Sequence, residues 1–169
     1  MFNSVFVLGG AASGKSVWAE TLLQNTGRPM VYLATGRIFD AEVAAKVKLH
    51  RDRRDARWTT MEAPLDLSAP LTAEHVVLID CATMWLSNHL LDGSDLAAAQ
   101  DALIRALRGC AAPWVIVSNE VGQGIVPENA LARQFREAQG RLNIALAAEA
   151  EVAVQVIAGL PQILKGALA

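Results

Sequence analysis

The fold of this chain is decided by the stretch Ser4-Val5-Phe6-Val7-Leu8-Gly9-Gly10-Ala11-Ala12-Ser13-Gly14-Lys15-Ser16. An apolar run comes first, a loop of glycine and other small residues follows, and a helix-forming segment comes next. The spacing matches G-x-x-x-x-G-K-[S/T], directly after a predicted strand and at the start of a predicted helix, which is the context that gives this motif its meaning. We therefore predict a loop that binds phosphate.

The chemistry of the motif follows from its residue types. Small residues from Gly9 to Gly14 allow successive backbone N–H groups to turn inward around phosphate oxygens, and the helix N-terminus adds a partial positive charge. Lys15 can reach the β- and γ-phosphates, and the Ser16 hydroxyl is a ligand that suits Mg²⁺. The alternative is a glycine-rich turn that binds nothing; the agreement of motif and context favours a nucleotide site.

The rest of the chain alternates between strand and helix patterns. Five apolar runs rich in Val, Ile and Leu predict buried strands of a parallel sheet covered on both faces, at residues 4–8, 30–34, 75–81, 114–118 and 151–157. Helical spacing predicts helices at residues 15–24, from Asp40 to His50, at 97–107 and at 128–148, the last being the longest. The alternation predicts βαβ units in an α/β sandwich.

Composition limits the function. The chain has 169 residues with 53% apolar side chains, which predicts one globular domain. Fifteen basic and seventeen acidic residues give a net charge of −2, which argues against a dedicated nucleic-acid binder. Two cysteines exclude a disulfide framework, and no apolar run reaches the roughly 18 residues of a membrane span. We expect a soluble protein of the cytoplasm.

Asp80 follows the apolar run Val76-Val77-Leu78-Ile79. A parallel strand would deliver its carboxylate to the carboxyl edge of the sheet, beside the phosphate loop. It resembles a Walker B acid, and with Ser16 it is our predicted ligand for Mg²⁺. The alternative is that Asp80 caps the helix that follows.

Residues 50–57 read His50-Arg51-Asp52-Arg53-Arg54-Asp55-Ala56-Arg57, with four arginines in seven positions. Arginine binds phosphate through two parallel hydrogen bonds, so this segment can neutralise a triphosphate or a pyrophosphate leaving group. Taken alone, it is more typical of a solvated helix end whose charges are balanced by aspartate. A neutral imidazole such as that of His50 can act as a base, a ligand or a nucleophile, yet an isolated histidine is most often structural.

Together, several stretches resemble the family of bifunctional adenosylcobinamide kinases and adenosylcobinamide-phosphate guanylyltransferases of cobalamin assembly. The most distinctive stretch runs from Ser118 to Asn129. The others are residues 9–16, 32–35, 50–58, 80–88, 140–143 and 158–161. The resemblance covers nearly the whole chain.

The resemblance implies a P-loop, RecA-like three-layer α/β sandwich with a mostly parallel central sheet, formed by residues 1–169 as one domain. It implies that a nucleoside triphosphate, ATP or GTP, phosphorylates adenosylcobinamide in the presence of Mg²⁺. GTP then donates GMP to adenosylcobinamide phosphate through a covalent bond to His50, and pyrophosphate leaves. A homotrimer is also implied.

By position in the family motifs, His50 and Lys15 are the predicted catalytic residues. Glu62 is a candidate acceptor for guanine N–H groups. The predicted nucleotide contacts are Gly9, Gly10, Ala11, Ala12, Ser13, Gly14, Lys15, Ser16, Ala34, Thr35, Gly36, Arg51, Asp52, Arg53, Arg54, Glu62 and Asp80.

Two other functions remain open at this point. One is a single-activity P-loop kinase for a small molecule, in which His50 is structural. The other is a GTP-dependent switch, which is disfavoured because the chain lacks the Asn-Lys-x-Asp motif that such switches use for guanine. Formation of a guanylylated protein would distinguish the first alternative from the bifunctional enzyme.

Overall fold

A single seven-stranded sheet organises the computed structural model, which describes residues 2–37, 54–67 and 73–168. Six strands are parallel and the last is antiparallel to its neighbour, in the order β3-β2-β4-β5-β1-β6-β7. The strands are β1 (Ser4–Gly9), β2 (Met30–Ala34), β3 (Trp58–Glu62), β4 (Val76–Asp80), β5 (Trp114–Asn119), β6 (Val152–Ile157) and β7 (Leu160–Lys165).

Four helices lie within the described ranges: α1 (Lys15–Gln24), α2 (Ala82–Leu91), α3 (Leu96–Gly109) and α4 (Ala130–Glu149). Side chains cap three of them, because Cys81, Asp95 and Asn129 each accept hydrogen bonds from backbone N–H groups of the first turn. The predicted helices at 15–24, 97–107 and 128–148 are confirmed, with ends shifted by at most two residues. The predicted helix from Asp40 to His50 lies outside the described residues.

Alternating side chains of the strands build two apolar cores, one on each face of the sheet. Val5, Val7 and Leu78 point toward α1, where Ala19 and Leu23 are fully buried against them. The intervening residues, such as Phe6 and Ile116, point toward α2, α3 and α4. Helices therefore cover both faces of a mostly parallel sheet, and the predicted three-layer α/β sandwich is confirmed.

Two edge strands were not predicted from the sequence. β7 follows a tight turn in which Ala158 and Gly159 both have positive φ, the conformation that two-residue hairpins require. Every residue of β7 is exposed. Pro161, which has no backbone N–H, is tolerated there because one side of an edge strand makes no hydrogen bonds to a neighbouring strand. β3 is mostly exposed as well, so neither strand carries the continuous apolar run of a buried strand.

Within the described ranges, no helix combines the length and the apolar character needed to cross a membrane.

Truncation of the core at α4 should destabilise the protein strongly. Leu142 is fully buried between α4 and the sheet, whereas Ile144, two residues along the same helix, is 73% exposed. We expect Leu142→Ala to lower the free energy of unfolding by about 2–5 kcal/mol, because it removes buried methyl groups and leaves a cavity. Ile144→Ala should change it by about 0.5 kcal/mol or less. Urea unfolding followed by circular dichroism measures both; equal losses would contradict the assignment of the core.

Candidate functional site

The phosphate loop is held in a close approach to the β6–β7 turn. Gly159 N–H donates to the Ser13 carbonyl at 2.8 Å, and Gly14, the N-cap of α1, has φ of 89°. A Cβ on Gly14 would lie 3.0 Å from the Gly159 Cα, and a Cβ on Gly9 would lie 2.8 Å from the Val156 carbonyl and collide with the Ser13 hydroxyl. Glycine is therefore required at both ends of the loop.

Lys15 spans the loop that precedes it. Its Nζ donates to the Gly10 carbonyl at 3.0 Å, so the ammonium group lies across the concave side of the loop. Ser16 follows in the first turn of α1, where the backbone N–H groups of a helix are unpaired. This arrangement provides backbone donors, an ammonium group and a hydroxyl for the same anion.

The register of the sheet brings three predicted site residues into one row. Ala34, the last residue of β2, pairs with Glu62 on one side and with Asp80 on the other. Asp80 lies two residues after Leu78, so its side chain is on the α1 side of the sheet, the side on which the phosphate loop continues into α1. The sequence suggests each of these three residues separately, whereas the order of the strands shows that they are neighbours.

Asp80 is fixed by a buried phenol. Tyr32 donates its hydroxyl to Asp80 Oδ2 at 3.1 Å. Burial raises the pKa of Tyr32 far above its ordinary value, and the negative charge of Asp80 raises it further, so the phenol stays protonated as a donor. This contact orients the carboxylate while leaving its other oxygen for a ligand.

Cys81, rather than Asp80, caps helix α2. Its Sγ accepts from the Met84 N–H at 3.5 Å, and the interpretation of Asp80 as the helix cap is therefore wrong. Burial, followed by the nearby charge of Asp80, raises the pKa of Cys81 to about 11, so the thiol remains neutral and structural. The Asp80 carboxylate remains available at the carboxyl edge of the sheet.

The donors at this edge fit a magnesium ion. The Ser16 hydroxyl and the Asp80 carboxylate are hard oxygen ligands, which Mg²⁺ prefers. The described ranges contain no cluster of three or more His, Cys, Asp and Glu side chains that would hold a metal alone. Such a donor set suits an ion that takes its other ligands from phosphate and water.

Thr35 has its polar groups engaged inside the protein. Its Oγ1 donates to the Cys81 carbonyl and accepts from the Cys81 N–H, both at 2.7 Å, and the side chain of Asn88 donates to its carbonyl at 2.8 Å. These bonds tie the end of β2 to the start of α2. The nucleotide contacts predicted for Thr35 and Gly36 stay predictions.

The arginine segment is described only from Arg54 onward; His50, Arg51, Asp52 and Arg53 lie outside the described residues. The guanidinium carbon of Arg54 lies 3.2 Å from the centre of the Tyr32 ring, and Nε lies 3.7 Å from a carboxylate oxygen of Glu20 in α1. Arg54 is therefore packed against the α1 side of the sheet. Arg57, by contrast, pairs with Asp55 at the surface, as expected for solvated charges.

Arg37, just beyond the predicted Gly36 contact, forms a two-pronged bond to Asp92 at the end of α2, with N–O distances of 2.8 and 2.6 Å. This hydrogen bonding lowers the pKa of Asp92. The contact ties the segment after β2 to α2.

Two polar side chains lie beside Gly9: Ser13, which is a predicted nucleotide contact, and Asn119, whose role the sequence leaves open between catalysis and stabilising the loop. Asn119 at the end of β5 pairs in register with Gly9, and its position two residues after Val117 places it on the α1 side. Within the described part of the chain, the buried oxygens of the Asn119 amide and the Ser13 hydroxyl have no hydrogen-bond partner. Buried polar groups are normally paired, so two unpaired ones around the phosphate loop are suited to a polar ligand.

The loop sequence, the strand order and the acid at the end of β4 define a P-loop nucleotide-binding enzyme of the RecA-like fold. Of the solved structures, the flagellar accessory protein FlaH from Methanocaldococcus jannaschii shares this fold, with a TM-score of 0.52 and 12% identity over 97% of this chain and 78% of FlaH.

Residues 5–164 match the cobinamide kinase / cobinamide phosphate guanyltransferase family, and the chain belongs to that family. The bifunctional adenosylcobalamin biosynthesis protein CobP of Pseudomonas aeruginosa is 40% identical over 95% of this chain and 96% of its own length. The corresponding CobU protein of Salmonella typhimurium is 41% identical over 92% of this chain and 96% of its own length. The enzyme is thus an adenosylcobinamide kinase and adenosylcobinamide-phosphate guanylyltransferase that uses nucleotide. The single-activity kinase and the switch are not supported.

Substitution of Gly14 should impair nucleotide binding through the loop. We expect Gly14→Ala to weaken nucleotide affinity by about tenfold or more, because a side chain at φ of 89° costs about 1–2 kcal/mol and its Cβ would press on Gly159. Gly93→Ala is the matched control, since Gly93 also has a positive φ of 70° but has open space around it. Titration calorimetry measures both; an unchanged affinity in Gly14→Ala would contradict the site.

Proposed function

We propose that one nucleotide site, on the loop from Gly9 to Ser16, serves both reactions of this enzyme, and that GMP passes through a covalent bond to His50. The observation that carries the proposal is that the loop after β1 and the residues Ala34, Glu62 and Asp80 lie at the same carboxyl edge of one parallel sheet. The unpaired oxygens of Ser13 and Asn119 beside Gly9 support it. All steps take place on one domain, residues 1–169.

In the kinase reaction, the hydroxyl oxygen of the aminopropanol arm of adenosylcobinamide attacks the γ-phosphorus, and the bond from that phosphorus to the β-phosphate oxygen breaks. Charge on the phosphoryl oxygens is absorbed by Lys15 and the loop N–H groups. Ser16 and Asp80 would hold Mg²⁺, which supplies further charge neutralisation when it is bound with the nucleotide.

In the guanylyltransferase reaction, a neutral nitrogen of His50 attacks the α-phosphorus of GTP, and pyrophosphate leaves. The phosphate of adenosylcobinamide phosphate then attacks the same phosphorus and breaks the P–N bond, which divides one displacement into two easier ones. Lys15, Arg51 and Arg53 hold the leaving pyrophosphate. Arg54, four residues after His50 in the chain, packs on the α1 side of the sheet.

The two reactions target different phosphorus atoms. We infer that either the nucleotide or the segment that carries His50 shifts between the two steps. Complexes with GTP and with the guanylylated protein that showed the same pose would contradict this movement.

Glu62 is our proposed guanine contact. It ends the outer parallel strand β3, pairs with Ala34 and is exposed, so its carboxylate is free to accept from guanine N1–H and N2–H₂. Adenine lacks that pair of donors.

From the family resemblance we also propose a homotrimer in the cytoplasm, with ATP or GTP as the phosphoryl donor. Cys81 and Cys110 are both free thiols, which is compatible with a reducing compartment.

Removal of the Lys15 ammonium should depress both reactions. We expect Lys15→Ala to lower both rates by about 10²-fold or more, because the lost charge stabilises the phosphates during both transfers. Steady-state assays of each half-reaction with purified substrates measure this. Lys165→Ala is a control, since that ammonium group instead bonds the carbonyls at the end of α4. A wild-type rate in Lys15→Ala would refute the shared site.

Guanylylation of the protein tests the role of His50. Incubation with α-labelled GTP and Mg²⁺ should leave label that is labile in acid and stable in base, and intact mass should rise by one GMP. His50→Asn should abolish the label while sparing phosphorylation, because only the second reaction needs the imidazole. His75→Asn, at the amino edge of the sheet, should keep the label. Label that persists in His50→Asn would exclude this residue as the nucleophile.

A further inference from the structure

A second cleft opens beside the phosphate loop. Its volume is about 590 Å³, within the range of small-molecule sites. Its walls are the first half of the phosphate loop, the segment after β5 and the end of β6. The residues that line it are Gly10, Ala11, Ala12, Ser13, Glu120, Val121, Gln123, Gly124, Gln155, Val156, Ile157 and Ala158.

This cleft adjoins the cavity in which the phosphates are expected. A smaller cavity of about 330 Å³ lies over the second half of the loop and is lined by residues 12–17, which include Lys15 and Ser16. Ala12 and Ser13 line both cavities. A group bound in the larger cleft is therefore separated from phosphates on Lys15 only by the width of these shared residues.

Glu120 supplies the only carboxylate among the described residues that line the larger cleft. Its backbone N–H donates to the Gly9 carbonyl at 3.0 Å, which anchors it to the start of the phosphate loop. One of its carboxylate oxygens, Oε1, accepts from the Gly122 N–H. A Cβ on Gly122 would lie 2.8 Å from that oxygen, so glycine makes room for the contact. Among the residues that the structure describes, the second carboxylate oxygen of Glu120 has no hydrogen-bond partner.

Arg136 of α4 fixes the shape of the segment that carries Glu120. Its guanidinium donates to the carbonyls of Ile125 and Gly124, both at 3.0 Å, and to the carbonyl of Gly122. Three backbone carbonyls held by one planar donor leave the loop little freedom to rearrange. The carboxylate is therefore presented to the cleft by a braced loop.

We propose that this cleft binds the aminopropanol arm of adenosylcobinamide and that Glu120 is the general base of the kinase reaction. As the hydroxyl oxygen forms its bond to the γ-phosphorus, its proton passes to the free oxygen of Glu120, and the nucleoside diphosphate leaves with the electrons of the broken P–O bond. The inference rests on the proposed position of the nucleotide on the phosphate loop.

The two activities of the enzyme make this proposal testable, because only one of them needs a base for the acceptor. The kinase acceptor is a hydroxyl that must lose a proton, whereas the guanylyl acceptor is a phosphate that is already ionised at neutral pH. Removal of a general base costs about 10²–10⁴-fold. Loss of Glu120 as a base should therefore separate the two rates.

The variant is Glu120→Gln, which has nearly the same shape and keeps an oxygen to accept from Gly122. At saturating nucleotide, we expect phosphorylation of adenosylcobinamide to fall by about 10²-fold or more, with guanylyl transfer to adenosylcobinamide phosphate near the wild-type rate. Glu128→Gln is the control, because Glu128 is an exposed carboxylate on the same loop that does not line the cleft. It should leave both rates unchanged.

Equal losses in both reactions of Glu120→Gln would overturn the proposal, since they would indicate a general effect on the loop. An unchanged kinase rate would also overturn it. The dissociation constant of the nucleotide, measured on the same variant, should equal the wild-type value. Failure of the nucleotide site itself would be seen separately, as unchanged rates in Lys15→Ala.

Discussion

The site depends on a close backbone approach between two turns. The phosphate loop leaves β1 in the middle of the sheet, and the β6–β7 turn meets it at the Ser13–Gly159 hydrogen bond of 2.8 Å. A Cβ on Gly14 would lie 3.0 Å from the Cα of Gly159, so no side chain fits between the two turns. This contact fixes where α1 begins, hence where its unpaired N–H groups point and where Lys15 starts. It also forms the floor that both cavities share.

A buried polar network fixes the position of the segment after β5. Ser118 donates to Asn143 at 2.6 Å, and Gln139 donates to both at 2.9 Å. Thr83 accepts from the Asn119 N–H at 2.8 Å, which links α2 to the same strand end. A buried network of this kind favours one geometry, because a slip would break its hydrogen bonds away from water. The loop after β5 therefore leaves the sheet in one direction, and Arg136 holds it from there.

The features that the sequence predicts are the local ones. The motif from Gly9 to Ser16, the apolar strands and the acid at Asp80 depend on neighbours along the chain, and their placement is as expected. What could not be predicted depends on distant partners: Asp80 held by the hydroxyl of Tyr32 instead of capping a helix, and Arg54 packed on Tyr32 rather than solvated. β3 and β7 lie at exposed edges, where pairing rather than burial makes the strand. No pattern within one segment records such contacts.

One loop can serve two transfers because it does not select the phosphorus atom that reacts. The N–H groups and Lys15 stabilise negative charge on a chain of phosphates, and such charge develops whichever P–O bond breaks. The choice must then come from the nucleophile: a hydroxyl presented in line with the γ-phosphorus or an imidazole in line with the α-phosphorus. The phosphate loop therefore serves both reactions. The segment that carries His50 and the loop that carries Glu120 determine which reaction occurs.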